Sequence, residues 1–329
     1  MERITVVSVF DGKSGGLESL KRANILIDKY FSSEIKEDGI TVALCNHPEI
    51  IQIGDITKCK YKSNMLYTEQ GNYYLPNVNL FIGGSPCQDF SQANIHREGL
   101  SGTKSSLFFE WLRLKNEINA NFWLLENVRM KPEHLKEVNS LMGCEPTKIN
   151  SRLVSAQNRE RYYWTNINNG TIPPPKDTMV SLNDILTTGY CPLEKSRCLM
   201  EGDSRPLTTP IKMYHRFHKF TTLIFKDKQH YLNCKEHYKT NFTNYIDNKF
   251  KNFSAKEIDI SIVNNDLDLT VYDGIRYLNQ TELERLQTLP EGYTKSLTRN
   301  KAAGVIGDGW NIETIAHIFS FLPSEWKTT

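Results

Sequence analysis

The sequence predicts an α/β protein with a doubly wound sheet and a smaller irregular insertion. Three observations carry this. Strand-like and helix-like segments alternate over the first half of the chain, the strand-like segments are apolar throughout, and a proline run then separates them from a polar, aromatic-rich stretch. Fully apolar strands alternating with helices indicate a parallel sheet covered on both faces. The 329 residues, 39% hydrophobic and 24% charged, suit one large domain or a domain plus a smaller one.

The first strand is the β-branched run "RITVVSVF", which ends in "DGKSGG". "LESLKRANILIDKYF" follows as a helix marked by Leu17, Leu20, Ile25 and Ile27. "ITVALCNHP" and "IIQIGDI" read as strands or a hairpin. "NVNLFIGG" is a buried strand, "SSLFFEWLRLKNEI" a helix, "NFWLLENV" a strand, "PEHLKEVNSLMG" a helix and "YYWTNI" a strand. "TIPPPKD" cannot continue a helix and marks a connector. From there to about Asp273 the chain is irregular. Near its end, "TELERLQTLP" reads as a helix stopped by Pro290. "NIETIAHIFSFL" carries Ile312, Ile315, Phe319 and Leu322 as one apolar stripe that packs on the sheet.

Composition excludes several function classes. No apolar run approaches the roughly 20 residues that cross a membrane, and the N-terminus shows no cationic and then apolar leader. Seven scattered cysteines without a Cys-x-x-Cys argue against a disulfide framework or a zinc site, and for a reducing, cytoplasmic setting. No metal-ligand set is expected. The net charge of +2 announces no global basic field, so any polyanion site must be local. Between Lys212 and Lys251 nine basic residues stand against three acids, a local +6, interleaved with Tyr214, Phe217, Phe220, Tyr231, Tyr238 and Phe242. Such a stretch either steers phosphates and stacks bases or is a charged surface over a small core.

Functional residues in open α/β sheets sit beyond the carboxyl ends of strands, where Asp11, Cys87 and Glu126 all fall. The glycines of "FDGKSGG" permit a tight turn and close backbone approach to a ligand at a helix N-terminus, or simply a strand-to-helix turn. Glu34 lies about 20 residues on, where nucleotide-binding folds place an acid on the ribose, and Asp55 in "IGDI" is a further acid near a strand end. Cys87, behind Gly83, Gly84 and Pro86, is set in a shaped loop that suits a nucleophile better than an inert buried thiol. Glu126 follows Phe122, Trp123 and Leu125. Burial against them favours a protonated, hydrogen-bond-donating carboxyl, the alternative being a capping residue. Arg159 and Arg161 alternate, so on an extended strand they share a face and hold a phosphate, a base or surface acids.

In this order the motifs resemble the DNA (cytosine-5)-methyltransferases. "FDGKSGG" is similar to the family's cofactor loop, "GGSPCQDFS" to its nucleophile loop and "ENV" to its cytosine-gripping acid. "QNRERYYW" is similar to its arginine motif, and "RYLNQTELERLQTLP" and "GDGWNIETIAHIF" to its C-terminal motifs. The finer text resembles the catalytic domain of the animal de novo enzymes. The Lys-, Asn- and Ile-rich composition suggests an AT-rich bacterial or phage genome, with methylation protecting DNA from restriction.

The resemblance implies a Rossmann-like S-adenosylmethionine-dependent methyltransferase fold. Residues 1–167 form the catalytic and cofactor-binding domain, 168–272 a target recognition domain, and 273–329 complete the first. It implies Cys87 as nucleophile, with Glu126, Arg159 and Arg161 catalytic. S-adenosyl-L-methionine falls to Phe10, Asp11, Gly12, Gly15, Glu34, Ile35, Asp55, Ile56, Pro86, Leu107, Gly309 and Trp310. The flipped cytosine falls to Ser85, Gln88, Ser91, Gln92 and Asn127. The loop from Gln88 to about Ser106 would close on that base.

The implied partner is double-stranded DNA. A homo-oligomer or a separate restriction endonuclease is compatible, since this chain shows no nuclease motif. Asp308 departs from the basic residue of the nearest relatives. The rivals are a transfer-RNA methyltransferase, whose Cys-Phe-Thr element is absent, an inactive regulatory subunit, which would lose Pro-Cys or Glu-Asn-Val, and an enzyme adding another one-carbon unit.

Overall fold

The computed structural model describes residues 2–86, 106–199, 210–217, 221–244 and 268–328. Its centre is a seven-stranded sheet. In chain order its strands are β1 (Ile4–Val9), β2 (Ile27–Ser33), β3 (Ile51–Gln52), β7 (Leu80–Gly84), β8 (Phe122–Val128), β9 (Thr147–Asn150) and β10 (Glu160–Thr165). The spatial order is β3-β2-β1-β7-β8-β10-β9. The first five are mutually parallel. β10 runs antiparallel to both β8 and β9, which corrects the all-parallel expectation. Only residues 151–159 join β9 to β10, too short a path for the crossover that parallel neighbours require.

Period-two alternation explains the layers. Val6, Tyr30, Leu80, Ile82, Leu124 and Tyr163 point to one face, and Val7, Phe31, Phe81, Leu125 and Trp164 to the other. The first face is covered by Leu17 and Leu20 of α1 (Gly15–Arg22) and by Ile315, Ile318 and Phe319 of the C-terminal α10 (Ile312–Phe319). The second is covered by Phe108, Trp111 and Leu114 of α3 (Ser106–Ile118) and by Val138 and Met142 of α4 (Pro132–Met142). Helices on both faces make the sheet doubly wound, as the sequence predicts.

Two local readings are overturned. α1 ends at Arg22 because Asn24 turns left-handed, φ 60°, and the expected continuation is strand β2. "ITVALCN" is not a strand but most of α2 (Glu37–Asn46). Acids open its first turn and Gly39, Val42 and Ala43 bury at helical spacing, so packing overrides the β-branched propensity. A small antiparallel meander, β4 (Lys60–Lys62), β5 (Met65–Thr68) and β6 (Gly71–Tyr74), stands apart from the main sheet.

The described part of the region after the prolines packs into a core that it shares with Val42 of α2, Ala156 and the C-terminal helices. It holds α5 (Leu182–Ile185), α6 (Pro210–Phe217) and α7 (Lys228–His237). Tyr214, Phe217, Phe225 and Tyr272 are buried there, with ring centroids 5.1 Å apart for Tyr214–Tyr272 and 5.5 Å for Phe217–Phe225. Tyr231 and Tyr238 pack against them. These aromatics therefore fill a core, while Lys226, Lys228, Lys235 and Lys239 stay on the surface. Phe220 lies outside the described residues. The same core takes in Leu283 and Leu286 of α8 (Gln280–Leu286) and Ala302 and Ile306 of α9 (Arg299–Asp308). α9 has no counterpart in the sequence reading.

Candidate active site

Chain order places β2 on one side of β1 and β7 on the other, so a crevice opens at the carboxyl ends of β1 and β7. The loop after β1 enters it with Phe10, Gly12 and Ser14 all at positive φ, 56°, 56° and 59°. Such conformations in non-glycine residues concentrate at functional sites. Asp11 holds them. Its Oδ1 accepts from Ser8 Oγ (2.5 Å) and Tyr30 OH (2.7 Å), and its Oδ2 from Ser14 Oγ (2.5 Å) and Ser32 Oγ (2.8 Å). Four hydroxyls thus engage this carboxylate, which shapes the loop from within. Burial and this carboxylate push the Tyr30 phenol well above its usual range.

Glu34 ends the neighbouring strand. Its Oε2 accepts from Gly12 N (2.7 Å), and its Oε1 from the amides of Ile35 and Lys36 (2.8 Å each). Ile35 beside it is 70% exposed, an apolar side chain presented to solvent at a strand end. Asp55 accepts from Thr57 N, and Ile56 is buried. Gly15 is buried 3.6 Å from Trp310 Cβ as a β-carbon would see it. Pro86 and Leu107 are half-buried where β7 ends and α3 begins.

Glu126 lies within β8 rather than past its end, opposite Tyr163 of β10, because the antiparallel partner extends the strand. Its surroundings are not purely apolar. Arg161 Nε stands 2.9 Å from Oε1 and Trp310 Nε1 donates to Oε2 at 3.0 Å. A β-carbon at Gly84 would lie 2.8 Å from that Oε2 and 2.9 Å from the indole nitrogen, so only glycine leaves the carboxylate its place. Asn127 is buried and donates to Ser85 Oγ at 3.0 Å, tethering the start of the loop that carries Cys87. Cys87, Gln88, Ser91 and Gln92 lie outside the described residues.

Arg159 is buried and donates to Gly309 O (3.0 Å) and Leu199 O (3.4 Å). It and Arg161 do share a face. Cys198 Sγ lies 3.5 Å from Arg159 Nη1 and 3.7 Å from Arg161 Nη2. Burial pushes the Cys198 thiol up, but the two guanidiniums pull it further down, and the net shift is downward. Sequence reasoning missed Cys198 because no local motif marks it. A backbone pairing of Ser196 with Gln157 brings it to the arginines. Asp308 pairs with Lys36 Nζ at 2.7 Å, which accounts for an acid at this position.

Beneath the loop runs a polar chain. Lys21 Nζ donates to His47 Nδ1 (2.9 Å), His47 Nε2 meets Tyr293 OH (3.1 Å), and that hydroxyl donates to Lys13 O (2.9 Å). Burial and the Lys21 charge depress the His47 pKa to about 4, although Glu18 and Glu49 lie 3.5 and 3.8 Å away. The lysine proton on Nδ1 favours a neutral ring. Because the folded-state pKa lies below the ordinary 6.5, the unfolded chain binds the extra proton first. Stability is expected to fall as pH drops from about 6.5 to 4, and His47→Gln to flatten that part of a pH series of denaturant midpoints.

Among the described residues no helix is long and apolar enough to cross a membrane, and no cluster of metal-ligating side chains occurs. Cys45, Cys59, Cys144, Cys191, Cys198 and Cys234 are free thiols.

Residues 4–323 match the family model for C-5 cytosine-specific DNA methylases. The chain belongs to this family. Relatives include the orphan methyltransferase M.SPRI of Bacillus phage SPR, 30% identical over 50% of this chain and 37% of that one. Another is the type II methyltransferase M.NgoBV of Neisseria gonorrhoeae, 29% identical over 60% of this chain and 49% of that one. The chain thus spans less than half the length of these curated relatives. These two methylase relatives are phage and bacterial proteins; neither is an animal de novo enzyme. The fold of the family is shared with the Entamoeba histolytica methyltransferase EhMeth, TM-score 0.64 at 12% identity over the whole of both chains. It is also shared with a Spodoptera frugiperda DNMT2 mutant, TM-score 0.61 at 16% identity over 97% of this chain and 99% of that one.

Proposed function

We propose that this chain methylates C5 of cytosine in double-stranded DNA. The observation that carries the reading is the convergence of Arg161, Trp310 and Glu126 beside the tethered start of the Pro86–Cys87 loop. A target base inside a duplex hides C6, so it is taken out of the stack to react. The Cys87 thiolate adds to C6, and the C5–C6 electron pair shifts towards C5. The Glu126 carboxyl accepts from the exocyclic amine and, protonated, donates to N3; Arg161 fixes Glu126 and, with Arg159, the base. S-adenosylmethionine supplies the methyl group when bound. A base then removes the C5 proton, and the returning electron pair expels Cys87 as thiolate.

The crevice fits that cofactor. Positive-φ backbone at Phe10 and Gly12 permits close approach, Glu34 offers its remaining acceptor capacity to a ribose, and exposed Ile35 offers an apolar face to an adenine. Phe10, Gly12, Gly15, Glu34, Ile35, Asp55, Ile56, Pro86, Leu107, Gly309 and Trp310 would hold it, with Asp11 shaping the loop. Ser85, Gln88, Ser91, Gln92 and Asn127 would serve the base side.

Residues 168–272 serve as the recognition region. Exposed Lys228, Lys235 and Lys239, on one side of α7 and its continuation, suit DNA phosphates. A role in phage or bacterial DNA modification follows, in the cytoplasm, with any endonuclease a separate chain.

The test is methyl transfer to unmethylated duplex DNA and, in parallel, to transfer RNA, with products read by conversion sequencing. The expected result is 5-methylcytosine in a fixed duplex context. Transfer to RNA alone, or none while the cofactor binds, would overturn the reading.

A further inference from the structure

The glycine loop encloses a cation. Lys13 is 0% exposed, and lysine is almost never fully buried unless paired. Its ammonium donates to Trp310 O at 3.2 Å. It also sits where position 309 would carry a side chain, since a β-carbon built on Gly309 would stand 1.9 Å from Nζ. Glycine at 309 therefore follows from lysine at 13. Four charged groups act on it through space: Arg159 before β10, Asp308 at the end of α9, Asp11 on its own loop and Glu126 on β8. Tyr293 contributes its hydroxyl, but to the Lys13 carbonyl.

Trp310 is also the residue whose indole reaches Glu126 Oε2, at 3.0 Å. The Gly309–Trp310 pair is thus held by Lys13 on one carbonyl and by Arg159 and Gln287 on the other, and it delivers its indole to the carboxylate that Arg161 completes. An apolar residue would fill a buried position at lower cost than a charged one, so a purely space-filling role leaves the ammonium unexplained.

We propose that Lys13 is a positioning residue for methyl transfer: its charged form clamps Gly309–Trp310 to the glycine loop and so aims Glu126, and loss of its proton loosens the clamp. The inference rests on the proposed function of this site. Burial and Arg159 lower the Lys13 pKa to about 7, against the opposing pull of Asp308, Asp11 and Glu126. The clamp therefore loosens as pH rises through neutrality, when a charge-assisted hydrogen bond becomes a neutral one. Stability moves the other way. The folded-state pKa lies below the ordinary 10.5, so between about 7 and 10.5 the unfolded chain holds more protons and stability rises with pH.

The experiment follows the full chain and its Lys13→Met variant from pH 6 to 9. It measures single-turnover methyl transfer at saturating substrates, S-adenosylmethionine affinity and denaturant midpoints. Wild type is expected to lose rate as it gains stability. Lys13→Met is expected to be about ten-fold slower at pH 6.5, to lack the falling limb, and to bind the cofactor within about three-fold of wild type. A variant with wild-type rate and the same falling limb overturns the proposal, and so does one that changes only stability. Should wild type transfer methyl to no substrate, Trp310 fluorescence, isolated by subtracting Trp310→Phe, still reads the clamp. A transition near neutrality that Lys13→Gln abolishes supports it even if Lys13→Met does not fold. No transition in wild type overturns it.

Discussion

Cys87→Ala is expected to reduce methyl transfer by on the order of 10⁴-fold or more, as loss of a covalent nucleophile does, while S-adenosylmethionine affinity stays within about two-fold of wild type. The reason is chemical. C5 of cytosine is a poor nucleophile until a group adds to C6, and alanine has nothing to add. The residues that lead up to Cys87 are constrained. β7 ends at Gly84, a β-carbon on Gly83 would meet Val9 O at 2.7 Å and Trp111 Nε1 at 2.8 Å, and Asn127 tethers Ser85 two residues upstream of the thiol. The chain therefore leaves β7 along a constrained path. Single-turnover transfer with radiolabelled cofactor, beside calorimetric cofactor binding, checks the claim. Retained transfer would remove Cys87 from the mechanism, and lost binding would make its role structural.

Glu126→Gln is expected to slow transfer by about 10²- to 10³-fold, the usual effect of removing one preorganised electrostatic contact. The substitution preserves volume but removes the carboxyl that Arg161 Nε faces at 2.9 Å and that would donate to N3. The amide oxygen still accepts from Trp310 or from Arg161, but as a weaker neutral acceptor. The nearly buried pair makes this costly for the fold too, about 1–3 kcal/mol, read as a lower denaturant midpoint. The loss should fall on the chemical step rather than on cofactor affinity. An unchanged single-turnover rate would show that Glu126 only braces Arg161 and Trp310.

The sequence made the central strands and the covering helices legible because their signals are local. "RITVVSVF", "NLFIGG" and "FWLLENV" are apolar enough to be buried on both faces, and α3, α4 and α10 carry one apolar stripe each. It failed where two local readings compete. β2 continued a helical spacing that only left-handed Asn24 breaks, and α2 is rich in β-branched residues that its neighbours bury in helical register. The direction of β10 depended on the shortness of its link to β9 and not on its own residues. The interleaved aromatics after the prolines were ambiguous by composition, and contacts such as Tyr214 with Tyr272 decided for a core.

The sequence by itself determined the order of the motifs, and with it the family, because glycine loops, Pro-Cys and Glu-Asn-Val need only near neighbours to be recognised. Only the tertiary structure decided what each charged group does. Asp11 serves four hydroxyls, Glu126 meets an indole 184 residues away, Lys13 is buried against position 309, and Cys198 touches both arginines. A buried polar group must find its partners wherever the fold brings them, and most of those partners lie far away along the chain.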